Sequence, residues 1–333
     1  MRSSAFRRRK QKPHRLVLTG ATGTLGTALL ELLGHDPRFR ILVLLRRPAR
    51  NLDRFPSVSA RVVDFHNSRQ LGRRIRSFCP KTVVHAAATG MEFPRPSWSD
   101  LADANISLPL RLLEVCRQCP RAPHVILIST GLAYRNQGRP LRENDPLGTV
   151  HPYGASKAAA DLVMQSAAAD LGVPLTVLRP FSFTGPGDVG SRLFPSLLRA
   201  AQFKTPLQLT SGRQLRDFLS ARDVAAGIIA VARKSPPPVR EAAIYNLGSG
   251  AARPIRRIVQ EVVRELGLKV VLRFGKKKAA EGEPGFLVAD ARKARRQLGW
   301  APQENLAYAV WRLARASFPR LDLPEPSKKA RTR

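Results

Sequence analysis

Tyr153 and Lys157 stand four residues apart in the segment Pro152-Tyr-Gly-Ala-Ser-Lys157. Residues at that spacing lie on one face of a helix, one turn apart. A phenol with its ordinary pKa near 10 is poorly suited to proton exchange at neutral pH. A neighbouring ammonium favours the phenolate and brings that value down. The pair therefore suits the proton transfers of an alcohol–ketone interconversion. Upstream, the apolar run Val125–Ile128 ends in Ser129-Thr130-Gly131. A hydroxyl at a strand's carboxyl end can hold a substrate oxygen while the phenol moves the proton. Taken singly, the first pattern also describes a solvated helix face, and the second a turn hydroxyl bonded to backbone.

A third pattern gives the other two a reactant. Arg15–Thr19 reads as a short buried strand, followed by Gly20-Ala-Thr-Gly23-Thr-Leu-Gly26 and an apolar run from Ala28 to Leu33. Gly20 allows a tight turn that a Cβ resists. Gly23 leaves room for a pyrophosphate against the backbone, and Gly26 allows close helix–strand packing. The helix that opens there presents free N–H groups and a positive dipole end to phosphates. Thr22, Thr24 and Leu25 complete that turn. An ordinary strand-to-helix turn can carry the same glycines, so its surroundings decide the reading.

Those surroundings alternate strand and helix. Apolar runs at Leu16–Thr19, Ile41–Leu45, Arg61–Asp64, Thr82–Ala88, Val125–Ser129 and Leu175–Leu178 are separated by helical stretches. The latter include Gln70–Phe78, Asp100–Cys119 and Ala155–Leu171. Such alternation predicts βαβ units and a Rossmann-type, doubly wound parallel sheet, with ligands at the carboxyl ends of its strands. After Arg179-Pro180 the pattern loosens into helices at Leu193–Phe203, Val224–Arg233, Ile255–Leu266, Ala291–Leu298 and Leu306–Arg315. The expected organisation is a disordered basic arm over 1–13, a dinucleotide-binding domain over 14–180, a smaller α/β substrate lobe over 181–318, and a flexible basic tail over 319–333. The lobe's chain can cross back to the sheet.

With 333 residues the chain can bury a sizeable core. No apolar run reaches the roughly 20 residues of a membrane-spanning helix. The first fifteen residues carry seven basic side chains and lack the apolar stretch of a secretory signal. The three cysteines, Cys79, Cys116 and Cys119, suit a reduced, cytoplasmic setting better than a disulfide framework. Cys116-x-x-Cys119 lacks the second pair that zinc would require, and no metal is expected. The formal charge is +33, and two thirds of that excess lies between residues 16 and 327. Such a balance draws phosphate-bearing partners. The basic residues are not interleaved with aromatics as in a single-strand platform, and nucleic acid is not the expected ligand.

Taken together, Thr19–Gly26, His85-Ala-Ala-Ala88, Asn105, Ser129-Thr130, Tyr153/Lys157 and Arg179-Pro-Phe181 resemble the extended short-chain dehydrogenase/reductases. Within them the chain resembles the NAD-dependent epimerase/dehydratase branch that acts on nucleotide-linked sugars. Gly185-Pro-Gly187, Arg216-Asp-Phe218, Asp223-Val-Ala225, Tyr245–Gly248 and Leu298-Gly-Trp300-x-Pro302 extend the match over about residues 14–315. The resemblance implies that Tyr153 is the acid/base and that Lys157 holds the nicotinamide ribose. It places Thr130 beside the substrate oxygen and Asn105 in the helix that shapes the site. Asp64 and Phe65 fall at the adenine, and Ala86, Ala87 and Ala88 along the cofactor channel. Pro180 and Ser182 border cofactor and substrate, and Arg216 falls where relatives grip a nucleotide diphosphate. Its planar fork matches phosphate oxygens, although an ion pair with Asp217 or Asp223 would equally occupy it.

Two departures from the pattern shape the expected activity. The second strand ends on Arg46-Arg47, where NAD-preferring members have a carboxylate. Paired arginines suit a 2′-phosphate, so NADP is the expected cofactor, with NAD possible. Ser182 replaces the more common Asn, which shortens that contact; Lys276–Lys278 could supply a phosphate cation. Gly131-Leu132 follows Thr130 where 4,6-dehydratases carry an acidic pair. The resulting expectation is NADPH-dependent reduction of a nucleotide-linked keto-sugar by a homodimer that pairs through Asp100–Cys119 and Ala155–Leu171. The alternatives are a nucleotide-sugar epimerase with bound NAD, and a non-catalytic scaffold for redox sensing or polyanion binding.

Overall fold

The computed structural model describes residues 12–91, 96–279 and 282–328. Most of the expected basic arm, part of the loop expected between residues 89 and 101, and the last residues of the tail lie outside that range.

Seven parallel strands form one sheet: β1 (His14–Thr19), β2 (Phe39–Leu45), β3 (Val58–Val62), β4 (Thr82–His85), β5 (His124–Ile128), β6 (Leu175–Pro180) and β7 (Ala243–Leu247). Their spatial order is β7-β6-β5-β4-β1-β2-β3. The sequence order reverses between β1 and β4, whose strands pair Leu16 with Thr82 through to Thr19 with His85. Ligand crevices form at such reversals, beyond the carboxyl ends of the strands. Strands β1, β4, β5 and β6 are mainly apolar and almost wholly buried, as strands covered on both faces must be.

Helices cover both faces. One apolar layer joins α1 (Thr24–Leu33) and α6 (Ala221–Arg233) to the sheet through Leu29, Leu30, Val224 and Ile228. The other brings α2 (Ser68–Phe78), α3 (98–117) and α4 (Pro152–Leu171) onto Val83, Val125 and Val177 through Leu71, Leu112 and Met164. Beyond the carboxyl edge, α5 (Leu193–Gln202), α7 (Ile255–Glu265) and α9 (Leu306–Ser317) enclose a separate core around Phe194, Leu197, Ile258, Val262 and Leu313. The short α8 (Arg292–Leu298) lies between α7 and α9 in the chain.

Several boundaries differ from the sequence expectation. Strand β3 runs over Val58–Val62 instead of Arg61–Asp64, which leaves Asp64 in the following loop. Helix α4 starts at Pro152, a residue whose missing N–H costs nothing in a first turn, so Tyr153 lies inside the helix. Helix α3 contains a π-turn over Asp103–Ser107 and ends at Arg117. Strand β7 pairs with β6 from Ala243–Thr176 to Leu247–Pro180 and returns the chain to the sheet after α6. Among the described residues, no helix is long and apolar enough to cross a membrane.

Candidate active site

The glycine turn closes on the strand reversal. Gly20 has φ +74°, and a Cβ there would sit 2.5 Å from Ala86 C and Ala87 N. A Cβ on Gly26 would lie 2.2 Å from Gly20 O, so α1 can approach β1 only without one. Gly23 differs: a Cβ there would meet only Gly20 O, at an ordinary contact distance of 3.5 Å, and the residue is exposed. As N-cap of α1 it offers no side chain to the first-turn N–H groups, and no acidic residue stands in that turn. Thr22 and Gly23 are exposed, Thr24 and Leu25 buried, and the Gly187 backbone packs against Thr24.

Lys157 carries the strongest electrostatic feature. Its side chain is fully buried, yet among the described residues Nζ finds no hydrogen-bond partner. Burial depresses its pKa to about 8 from an ordinary 10.5, with the Asp161 carboxylate one turn on opposing the shift. An ammonium held without partners is costly. The ribose hydroxyls of a dinucleotide would satisfy it, and the open face at Gly23 would take the pyrophosphate. The donor set fits that class of cofactor. Burial, and after it the same ammonium, lowers the His85 pKa to about 3 and holds the ring neutral. The His85 ring bonds Thr19 Oγ1 through Nδ1 at 2.8 Å.

Asp161 anchors this charge from behind. Its Oδ2 accepts from Arg179 Nε at 2.7 Å, with both side chains essentially buried. Arg179 Nη1 also donates to Tyr134 OH at 2.7 Å and to Glu143 O at 3.0 Å. Tyr134 OH in turn donates to Asn246 Oδ1 at 2.7 Å, which ties β7 to this network. The sequence reading did not single out Asp161, Tyr134 or Asn246 for this role. Two signals were present: a carboxylate one helical turn after Lys157, and an arginine at the end of an otherwise uncharged strand.

The catalytic candidates converge on the start of α4. Tyr153 is half-buried and lies beside Gly90, whose Cβ would come 3.1 Å from Tyr153 Cδ2. Asn105, fully buried in the π-turn, accepts from Thr89 N at 3.0 Å. Its Nδ2 donates to Thr89 O and to Ser156 Oγ, both at 2.9 Å. Ser156 Oγ donates to Tyr153 O at 2.9 Å. The π-turn thus places one amide side chain between the loop after β4 and the helix that carries Tyr153. Thr130, buried after β5, accepts from Leu132 N at 3.2 Å. That turn is pressed onto α4, since a Cβ on Gly154 would lie 2.4 Å from Leu132 O.

The remaining candidates border these elements. Ala86 and Ala87 are half-buried and Ala88 is exposed after β4. Asp64 is exposed and accepts from His66 N at 2.9 Å, while buried Phe65 offers its carbonyl to Arg111. Arg46 and Arg47 are exposed beyond β2, with no carboxylate bonded to them among the described residues. Pro180 ends β6, and half-buried Ser182 opens a short strand paired with Phe218–Ser220. Lys276, Lys277 and Lys278 are exposed.

Arg216 is bound, but to neither expected carboxylate. The Asp217 carboxylate accepts from Ser249 Oγ, Gly250 N and Ala289 N, and that of Asp223 from Gln303 N and Glu304 N. Instead Arg216 Nη2 donates to Glu283 Oε1 at 3.0 Å. This partner lies 67 residues away in a loop that the sequence reading treated only as charged.

Comparison with known proteins agrees with this geometry. Residues 16–248 match the model of the NAD dependent epimerase/dehydratase family. UDP-glucose 4-epimerase of Corynebacterium glutamicum is 26% identical over 316 residues, covering 87% of this chain and 92% of that protein. The dTDP-6-deoxy-L-talose 4-dehydrogenase (NAD(P)(+)) of Kitasatospora kifunensis is 30% identical over 243 residues, covering 69% and 73%. The solved structure of MoeE5 in complex with UDP-glucuronic acid and NAD superposes with a TM-score of 0.80 at 25% identity, over 92% of this chain and all of that one. A seven-stranded parallel sheet, a glycine turn at its reversal and a Tyr/Lys helix start, together with these matches, make the chain a member of the NAD dependent epimerase/dehydratase family.

Proposed function

We propose that the chain is an epimerase of a nucleotide-activated sugar that works with a bound nicotinamide dinucleotide. The observation that carries this reading is Lys157: a buried ammonium without a hydrogen-bond partner, one turn from Tyr153. The names of the relatives favour epimerisation over net reduction, since the C. glutamicum protein matched along most of its length is a UDP-glucose 4-epimerase.

When bound, the dinucleotide supplies the hydride acceptor and donor. In this reading the turn Gly20–Gly26 holds its pyrophosphate, Asp64 and Phe65 its adenine side, and Ala86, Ala87, Ala88 and Pro180 its channel. Lys157 holds the nicotinamide ribose and stabilises negative charge on Tyr153. Tyr153 Oη takes the proton from the sugar hydroxyl being oxidised and returns it when the carbonyl is reduced. Thr130, whose oxygen already accepts from Leu132 N, donates its own hydrogen to that sugar oxygen. Asn105 fixes the loop and helix between which the sugar sits. Arg216 and Ser182 face the nucleotide diphosphate.

One observation favours a second reading. Arg46 and Arg47 follow β2 with no carboxylate paired to them among the described residues, an arrangement suited to a 2′-phosphate and hence to NADPH-dependent reduction of a keto-sugar. In either case the exposed Leu162 and Val163 of α4 suit a homodimer that buries α3 and α4.

The test is to incubate the purified protein with UDP-glucose and catalytic NAD or NADP, following the sugar by proton NMR and the nicotinamide by absorbance. The proposal expects UDP-galactose to appear with no net change in nicotinamide. Stoichiometric NADPH consumption with a nucleotide-linked 4-keto-sugar, and no interconversion, would establish the second reading.

A further inference from the structure

We infer that the amino-terminal edge of the parallel sheet is a second anion site, shaped for a compact polyphosphate chain and separate from the cofactor cleft. Six basic side chains, His14, Arg15, Arg38, Arg40, Lys81 and Arg233, line one opening of about 680 Å³ there. They come from four stretches of chain: the start of β1, the start of β2, the entry to β4 and the last turn of α6. The cofactor turn follows Thr19, at the other end of β1, about 17 Å along the strand from His14.

Strand register forces these charges together. His14 N donates to Arg38 O at 2.7 Å, and Lys81 N to Arg15 O at 2.8 Å. Arg15 pairs with Arg40 across β1 and β2, and Leu16 with Thr82 across β1 and β4. Lys81, Arg15 and Arg40 therefore stand side by side on three neighbouring strands, whose backbones are roughly 4.8 Å apart. Like charges so placed repel one another. Arg15 Nη1 donates to Phe78 O at 3.1 Å, a contact that leaves its charge in place. The Arg233 guanidinium lies 5.9 Å from the Phe39 ring centroid, also without an acid.

Little in the fold offsets this charge. Among the described residues Asp36 is the one carboxylate bonded to any of the six, and it pairs with Arg38 at 2.7 Å. Arg15, Arg40, Lys81 and Arg233 are exposed. His14 feels the resulting field: burial lowers its pKa, and the Lys81 and Arg233 cations lower it further. Unpaired cations gathered around one opening favour a ligand that carries several negative charges close together. Guanidinium groups match phosphate oxygens in pairs, and the ammonium adds a point charge. An extended polyanion is instead followed by a groove or stripe of cations.

The experiment is calorimetric titration of inorganic tripolyphosphate and of ATP into the full chain, with NAD saturating so that the cofactor turn is filled. Wild type is compared with Arg40→Gln/Lys81→Gln/Arg233→Gln and with Arg264→Gln/Lys269→Gln/Arg273→Gln. The latter removes the same charge from exposed positions of the substrate lobe. Tripolyphosphate binding should weaken about a hundredfold in the first variant and no more than about threefold in the second. ATP should bind as tripolyphosphate does and be lost with it, because the site reads the phosphate chain. ATP that binds more tightly, and is likewise lost in the first variant, would support the site and make a nucleotide the source of that chain. NAD affinity should be the same in all three forms, which shows that each is folded. Tripolyphosphate that fails to bind wild type, even where a DNA oligonucleotide binds, would overturn the inference. Equal weakening in the two variants would overturn it too, and would leave the proposed function standing.

Discussion

In the proposed assignment, the cofactor side and the substrate side of the cleft handle positive charge in opposite ways. On the cofactor side, among the described residues, the buried Lys157 Nζ has no hydrogen-bond partner and no carboxylate pairs with Arg46 or Arg47. On the substrate side Arg216 is already paired with Glu283. The first arrangement leaves cations waiting for an anion or hydroxyl, so a ligand gains their full interaction. The second leaves a guanidinium whose charge the protein already offsets.

The largest effect that tests this contrast is at Tyr153. Replacing it with Phe should lower turnover about a thousandfold, the usual scale for a lost general acid/base, while calorimetry shows NAD binding retained. Undiminished turnover would remove Tyr153 from the chemistry. Next comes the support behind the waiting ammonium. Asp161→Ala leaves buried Arg179 unpaired and should cost ~3–5 kcal/mol in denaturant unfolding. The surface pair of exposed Arg38 with Asp36 should matter far less when Asp36 is replaced.

A pH series offers a smaller, signed effect. Lys157 loses its proton near pH 8 when folded but near 10.5 when unfolded. Its burial penalty is therefore fully present below pH 8 and is relieved as pH rises from about 8 to 10.5. NAD affinity should fall over the same upward range as the charge on Lys157 is lost, while this group's contribution to stability moves in favour of folding. Isothermal binding and thermal unfolding measured side by side would show the two trends diverge. The smallest expected change is at the rim: Arg46→Ala/Arg47→Ala should weaken NADP binding by about tenfold and leave NAD binding unaltered. Equal effects on both cofactors would show that the arginines do not read a 2′-phosphate.

The two sides also differ in how much of them local sequence revealed. The cofactor side is written in short intervals: glycines three apart after an apolar strand, and a phenol and an ammonium four apart on one helix. Those spacings translate directly into turns and helix faces, so the sheet and the positions of Gly20, Tyr153 and Lys157 were legible. The substrate side depends on pairs remote in the chain. Arg216 meets Glu283 across 67 residues, and Tyr134 meets Asn246 across 112. Local periodicity carries no information on such pairs. The nearer candidates, Asp217 and Asp223, are occupied by backbone amides and, for Asp217, the Ser249 hydroxyl, all of which the fold brings to them. The π-turn at Asn105 was hidden for a related reason, because an inserted residue shifts the helix face without changing its composition.

The account rests on Tyr153 exchanging a proton while the sugar is oxidised and reduced at one carbon. The most direct measurement uses UDP-glucose deuterated at C4, incubated with the wild-type protein and NAD in ordinary water. The account predicts UDP-galactose with the deuterium still on C4, and none from Tyr153→Phe. Product whose C4 carries hydrogen from water, or epimer formed equally well by Tyr153→Phe, would contradict it.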